Sequence, residues 1–168
     1  MQGRIIQLNV SKGGLPKFPV PSAYATPLGL EGDAHRNPLV HGGPQKALLL
    51  ISSEDIATLC AAGFPVFSGA LGENLTIEGL PFRDLRPGMR FRAGEAVIVL
   101  TRPRSPCANL DVYNSPELGR IQEAVYDTQV KAGDTSSPRW GVAGFYALVE
   151  RPGLILSGDI INLLDQAV

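Results

Sequence analysis

One sulfur in this chain sits where sulfur could do chemistry. In RPRSPCANLDVY, residues 102–113, Cys107 follows Arg102, Arg104 and two prolines, so the chain passes through a rigid bend before reaching it. Thiolate is the form of cysteine that attacks electrophiles and ligates metals, and an arginine-rich loop favours it. An exposed Cys107 would be reactive, and one packed among Leu110 and Val112 would be inert. The local sequence leaves both open.

A second group of reactive types lies in GDAHRNPLVHGGPQKA, residues 32–47, which holds both histidines of the chain. Asp33, His35 and His41 are of metal-ligand type, since carboxylate and imidazole suit zinc or iron, but their spacing matches no standard site. The His41-Gly42-Gly43 turn permits positive φ and close backbone approach to a ligand, with amides that could hold an oxyanion. Lys46 adds a point charge at the entrance of a strand, or is simply a surface lysine after a tight turn. A third group, LGENLTIEGL, puts Glu73 and Asn74 where a glycine turn meets a strand. One of them could face a site, although turn chemistry accounts for Asn74 equally well. A Cys-His hydrolase would use His41 or His35 as base and Asp33 as its orienter, but no nucleophile signature surrounds Cys107.

These residues need a scaffold, and the pattern predicts mostly strands. Runs rich in Val, Ile, Leu and Phe fall at 4–10, 47–51, 74–77, 89–92, 96–101, 144–149 and 159–164, with a hairpin turn at Ala93–Glu95. Helical spacing occurs twice. Ser52 caps a segment whose Ile56, Leu59 and Cys60 share an apolar face and which Gly63 ends; Cys60 is therefore expected in the core. A second helix is expected from Ser115-Pro116-Glu117, carrying Leu118, Ile121 and Val125. Residues 15–27 read as a proline-rich loop and 131–138 as a polar one. The fold class expected is mainly β: a closed or nearly closed β-barrel with a few short peripheral helices.

The chain has 168 residues, 44% hydrophobic and 18% charged, which suits one folded domain rather than a disordered segment. A net charge of -1 argues against a general nucleic-acid binder, which needs many cationic phosphate contacts. Arg83, Arg86, Arg90, Arg92, Arg102 and Arg104 nevertheless fall in a stretch whose only acids are Asp84 and Glu95. They would suit a small anion if they converge, or a solvated strand edge if they do not. Without a spanning apolar run or a leader-like N-terminus, a cytoplasmic location away from the membrane is expected. Two cysteines allow at most one bridge, which a domain of this size does not require.

Taken together and in order, GDAHRNPLVHGGPQKALLL, then LGENLTIEGL with RPGMRFRAGEAVIVLTRPRSPC, then GFYALVERPGLILSGDIINLL resemble the MOSC domain, named for the C-terminal domain of molybdenum cofactor sulfurases. The likeness runs over nearly the whole chain, treated as one domain over 1–168, and is nearest in style to the stand-alone bacterial YiiM-like type. It implies a barrel of the pyruvate-kinase β-barrel-like kind that binds the molybdenum cofactor, a molybdopterin. The family cysteine, matched by Cys107, would be the catalytic sulfur and metal ligand, or would carry a persulfide. Lys46, Asn74 and Arg104 match positions near the cofactor, the His41-Gly42-Gly43 turn would line the same pocket, and Glu73 and Arg102 complete the expected cofactor-binding set. Molybdenum accepts thiolate readily, and a phosphate calls for Arg, Lys and backbone amides.

The resemblance further implies a possible molybdenum-dependent oxidoreductase: the terminal component of a reductase for small N-hydroxylated or N-oxide substrates. The alternative is a non-enzymatic sulfur or cofactor carrier. Two cysteines give no ligand set for an iron–sulfur cluster, so electrons would come from a separate donor protein. YiiM-like proteins carry a further helical domain after the barrel, whereas the 168 residues given run only a few positions beyond the last expected strand. Lys46 is not expected to form a Schiff base, because pyridoxal phosphate belongs to another domain of the sulfurase.

Overall fold

A sheet closes into a barrel only when its first and last strands pair, and here they do. The structure, a computed structural model, describes residues 1–34 and 42–164. Its strands are β1 (Gln2–Val10), β2 (Phe18–Val20), β3 (Ser22–Thr26), β4 (Gly29–Leu30), β5 (Leu48–Ser52), β6 (Leu75–Glu78), β7 (Arg90–Ala93), β8 (Ala96–Pro103), β9 (Phe145–Arg151), β10 (Gly153–Leu156) and β11 (Ile160–Leu163). Three helices join them: α1 (Ser53–Ala62), α2 (Ile121–Val125) and α3 (Thr128–Lys131). The order β11-β7-β8-β9-β5-β6-β1, closed by the β11–β1 pair, makes a barrel of seven strands, with β2 added outside β1. All its pairs are antiparallel except β5–β6, whose connection runs through α1. The expected mainly β, closed barrel is therefore what forms.

The barrel separates two apolar cores. Inward residues of successive strands, among them Ile5, Leu48, Leu50, Ile77, Phe91, Ile98 and Phe145, fill its interior. Each such side chain stabilises the fold by roughly 1.5–3 kcal/mol on burial. Strand β5 is apolar at four consecutive positions because it is covered on both faces. Leu48 and Leu50 point to the interior, while Leu49 and Ile51 join Ile56 and Leu59 of α1, Leu110, Tyr113 and Ile121 in a second cluster outside the wall. Gly144 lets β9 begin against β5: at φ +86 a Cβ there would lie 2.2 Å from the Leu50 carbonyl oxygen, so no other residue fits.

Several local expectations hold. Ser52 caps α1, its hydroxyl accepting the Asp55 N–H at 3.1 Å, and Gly63 ends it in the left-handed region. The β7–β8 turn lies at Gly94-Glu95. Others are corrected. Cys60 is exposed, not core: Ile56 and Leu59 form a narrow buried stripe, and the next position rotates off its edge into solvent. Residues 115–119 form a closed turn rather than a helix start, with Ser115 and Gly119 exchanging backbone hydrogen bonds and the Ser115 hydroxyl accepting the Leu118 N–H at 3.3 Å. That local competition delays α2 to Ile121 and leaves Leu118 exposed. The proline-rich stretch 15–27 contains β2 and β3, because β3 finds a remote partner in β10 and a local one in β4. The polar stretch 131–138 begins in the last residue of α3.

Candidate functional site

The site grows from the point where β8 runs out. Beyond Pro103 the Arg104 N–H donates to the Gly144 carbonyl at 2.8 Å, which fixes the chain as it leaves the sheet. The Arg104 side chain then turns into the protein, where Nη2 donates to the Leu71 carbonyl at 3.0 Å and Nη1 has no partner. The residue is only 5% exposed, so this is a buried guanidinium with a donor left over. Burial, the largest effect, holds its pKa below the ordinary arginine value, and Tyr146, Cys107 and Glu73 act in the opposite sense.

Arg104 lines a cavity of about 110 Å³ together with Cys107, Lys46, Asn74, Lys17 and Tyr146. The cavity lies outside the barrel wall, since Leu49 and Tyr146, which face each other across β5 and β9, also line it. Cys107 is half-buried. Its carbonyl accepts the Leu110 N–H at 3.1 Å and the Gln122 side-chain amide at 3.2 Å, so α2 steadies the loop that presents the sulfur. Lys46, at the end of a 3₁₀ turn over Pro44–Lys46, sits 5.8 Å from the centre of the Tyr146 ring, and the Arg102 guanidinium lies at the same distance from it.

Another part of the lining, Lys17, belongs to a buried ion pair. Lys17 Nζ donates to Asp33 Oδ2, with side chains only 8% and 2% exposed. Asp33 is held by the Ser11 N–H at 2.8 Å and by the Asn74 amide at 2.8 Å. Asn74 is itself fixed, because its Oδ1 accepts the Leu49 N–H at 3.1 Å and its Nδ2 also donates to the Asn9 carbonyl at 3.3 Å. Its side chain thus ties β1 and β5 together and orients Asp33.

Of the residues picked out in the sequence, the structure brings Cys107, Gly42, Lys46, Asn74 and Arg104 to one cavity. Gly43, Glu73 and Arg102 are not among its lining residues. Glu73 is wholly buried, with Oε1 accepting the Gly69 N–H and the Thr76 hydroxyl and Oε2 unpartnered. Burial is the largest effect on its carboxyl and pushes the pKa up, against hydrogen bonds and Arg104. His35 and His41 lie outside the described residues, and among those residues Asp33 serves the ion pair rather than a metal cluster. The six arginines do not converge: Arg83 and Arg86 donate to backbone carbonyls and Arg90 pairs with Glu150. Sequence reasoning missed Lys17 and Tyr146. Lys17 carried a signal, being the only charged residue between Gly13 and Leu30; Tyr146 lay in a strand whose register alone decides its face.

The barrel, with a cationic, cysteine-bearing cavity on its outer wall, defines a protein of the MOSC domain family. Residues 37–162 match the family model for the MOSC domain, and the chain belongs to that family, which is associated with molybdenum cofactor binding. It is 41% identical to Protein YiiM of Escherichia coli (strain K12) over 93 residues, covering 52% of this chain and 41% of that protein. It is 31% identical to the uncharacterized protein YflK of Bacillus subtilis (strain 168) over 137 residues, covering 81% of this chain and 56% of that one. The chain thus spans about half the length of the curated relatives it matches. The crystal structure of YiiM from Geobacillus stearothermophilus superposes with a TM-score of 0.71 at 26% identity, over 97% of this chain and 75% of that one. YiiM from Escherichia coli gives 0.69 at 26% identity, over 99% and 71%. Among the described residues no helix is long and apolar enough to cross a membrane.

Proposed function

We propose that the chain binds the molybdenum cofactor in the Cys107 cavity and acts as the terminal component of a reductase for small N-hydroxylated or N-oxide molecules, drawing electrons from a separate donor protein. The observation that carries this is the orphaned Arg104 Nη1, nine-tenths buried on the same cavity as a half-buried cysteine. A buried donor left unpaired is costly, and an anionic ligand group would satisfy it. The residues present therefore fit the group. Cys107 would supply the sulfur ligand, Arg104 and Lys46 would hold anionic oxygens, and Gly42, with its positive φ, would let the backbone approach closely. The cofactor, when bound, supplies two-electron transfer between substrate and donor. Lys17, held by Asp33, supplies a further fixed cation on the wall, and the outer apolar cluster around Leu49 and Leu71 keeps that wall dry.

The half-buried Cys107 also favours a second reading, a sulfur or cofactor carrier, since a carrier needs a thiol that a partner can reach. One assay separates them. Cofactor-loaded protein given a reduced viologen and an N-hydroxylated base should release the amine, and Cys107→Ser should abolish it. No turnover, together with a gain of one sulfur mass on Cys107 after incubation with a cysteine desulfurase, would select the carrier.

A further inference from the structure

Arg102 does not line the Cys107 cavity, yet one ring ties its charge to it. Tyr146 of β9 has Arg102 of β8 directly opposite on one side and Leu49 of β5 on the other, so the three side chains form a row on the outer face of the barrel wall. Tyr146 lines the cavity, and the Arg102 guanidinium rests over its ring at 5.8 Å from the centre. Lys46, another lining residue, holds its ammonium over the same ring, also at 5.8 Å. The turn that carries Lys46 is pinned there, because the Thr101 hydroxyl reaches both the Gln45 carbonyl at 2.8 Å and the Tyr146 carbonyl at 3.1 Å. The third cation is Arg104. Burial, the largest effect, disfavours its charge, and among the groups acting the other way Tyr146 comes ahead of Cys107 and Glu73. Cations from the turn before β5, from β8 and from the loop after it thus meet at one tyrosine.

We propose that Tyr146 is the positioning residue of an oxyanion site in this cavity, its ring holding Lys46 and Arg102 so that they act together with Arg104 on a ligand that carries at least two anionic oxygens. Like charges gathered at one place repel, and the negative face of an aromatic ring offsets part of that repulsion before a ligand arrives. Cations already in place lose less freedom on binding, which appears as affinity. The buried Arg104 Nη1 without a partner is the donor that calls for such a ligand. This role rests on the reading that the cavity takes an anionic ligand, and holds whether or not that ligand carries molybdenum. If Tyr146 only packed against the apolar cluster around Leu49, the charge of Arg102 would be irrelevant to the cavity.

Inorganic phosphate titrated into the full chain, produced in a host that makes no molybdopterin and followed by amide NMR, tests this. The amides of Gly42, Gly72 and Cys107, which line the cavity, should shift, and the shifts give the affinity of each variant. Arg102→Gln changes an exposed side chain outside the cavity lining and should weaken phosphate at least about threefold. Arg151→Gln, the same charge change at the far end of β9, should leave the affinity unchanged. Tyr146→Leu should weaken binding about tenfold, Tyr146→Phe, which keeps the ring, should recover most of that loss, and Arg102→Gln should have no further effect in the leucine background. An Arg102→Gln variant that binds like wild type, that loses no more than Arg151→Gln, or that loses as much beside leucine as beside tyrosine overturns the positioning role and leaves the anion reading of the cavity standing; the first two comparisons decide even if leucine prevents folding. No shifts in the wild-type chain, or shifts only away from the cavity, overturn the oxyanion site itself. The expected phosphate pattern in a chain that retains no molybdenum when the cofactor is supplied would remove the reductase reading and leave the role of Tyr146 intact.

Discussion

Glu73 and Arg104 illustrate what burying a charged group costs at the scale of single residues. Both are buried, each has one polar atom without a partner, and burial disfavours the charged form of each. For Glu73 the sign of the pH dependence follows. Its carboxyl holds a proton more tightly in the folded than in the unfolded chain, so its contribution turns against folding as pH rises from about the ordinary value of 4.5 through the raised folded one. Glu73→Gln keeps an oxygen for the Gly69 N–H and the Thr76 hydroxyl but cannot ionise. Urea unfolding of both proteins at about pH 4 and about pH 8 should show the glutamine variant gaining on the wild-type protein as pH rises. A gap independent of pH would show that Glu73 does not titrate in this way.

At the scale of elements, the site wall is a strut network between β1, β5 and the segments before β2 and after β4. Lys17 and Asp33 neutralise each other there, and Asn74 aligns Asp33 with both strands. Removing one partner of a buried pair leaves an uncompensated charge, so Lys17→Met should destabilise by about 3–5 kcal/mol in equilibrium denaturation, and adding Asp33→Asn should recover most of the loss. Equal losses in the single and double variants would contradict the pairing. This network also marks the limit of sequence reading. GEN-L-T drew attention to Asn74, yet its role emerged only from the β5–β6 register, which puts its amide against Leu49. Cys60 failed for a related reason: helical spacing identifies a face, but which positions a neighbour covers is decided by the element packed against it; Leu118 failed because the Ser115–Gly119 turn outcompetes the helix start.

For the whole molecule, closure depends on the β1–β11 seam, where Gly3 opposes Ile161. Ile161 is fully buried in the barrel core. Ile161→Ala should cost about 2–4 kcal/mol of stability, read from denaturant midpoints at unchanged slope, and a neutral result would mean the seam contributes little. The barrel class was legible because short apolar runs separated by glycine and proline leave few other architectures. The small β10-β3-β4 sheet was not legible, since its β3–β10 pair reaches across most of the chain. The cavity lies where this closed wall, the Cys107 loop and the Lys17 segment meet, and the account turns on whether that sulfur holds metal. The most direct measurement is molybdenum and pterin content of wild-type and Cys107→Ser protein produced in a molybdenum-replete host. Cofactor bound by the wild-type chain and lost from the serine variant is the predicted result; equal molybdenum in both, or none in either, would contradict it.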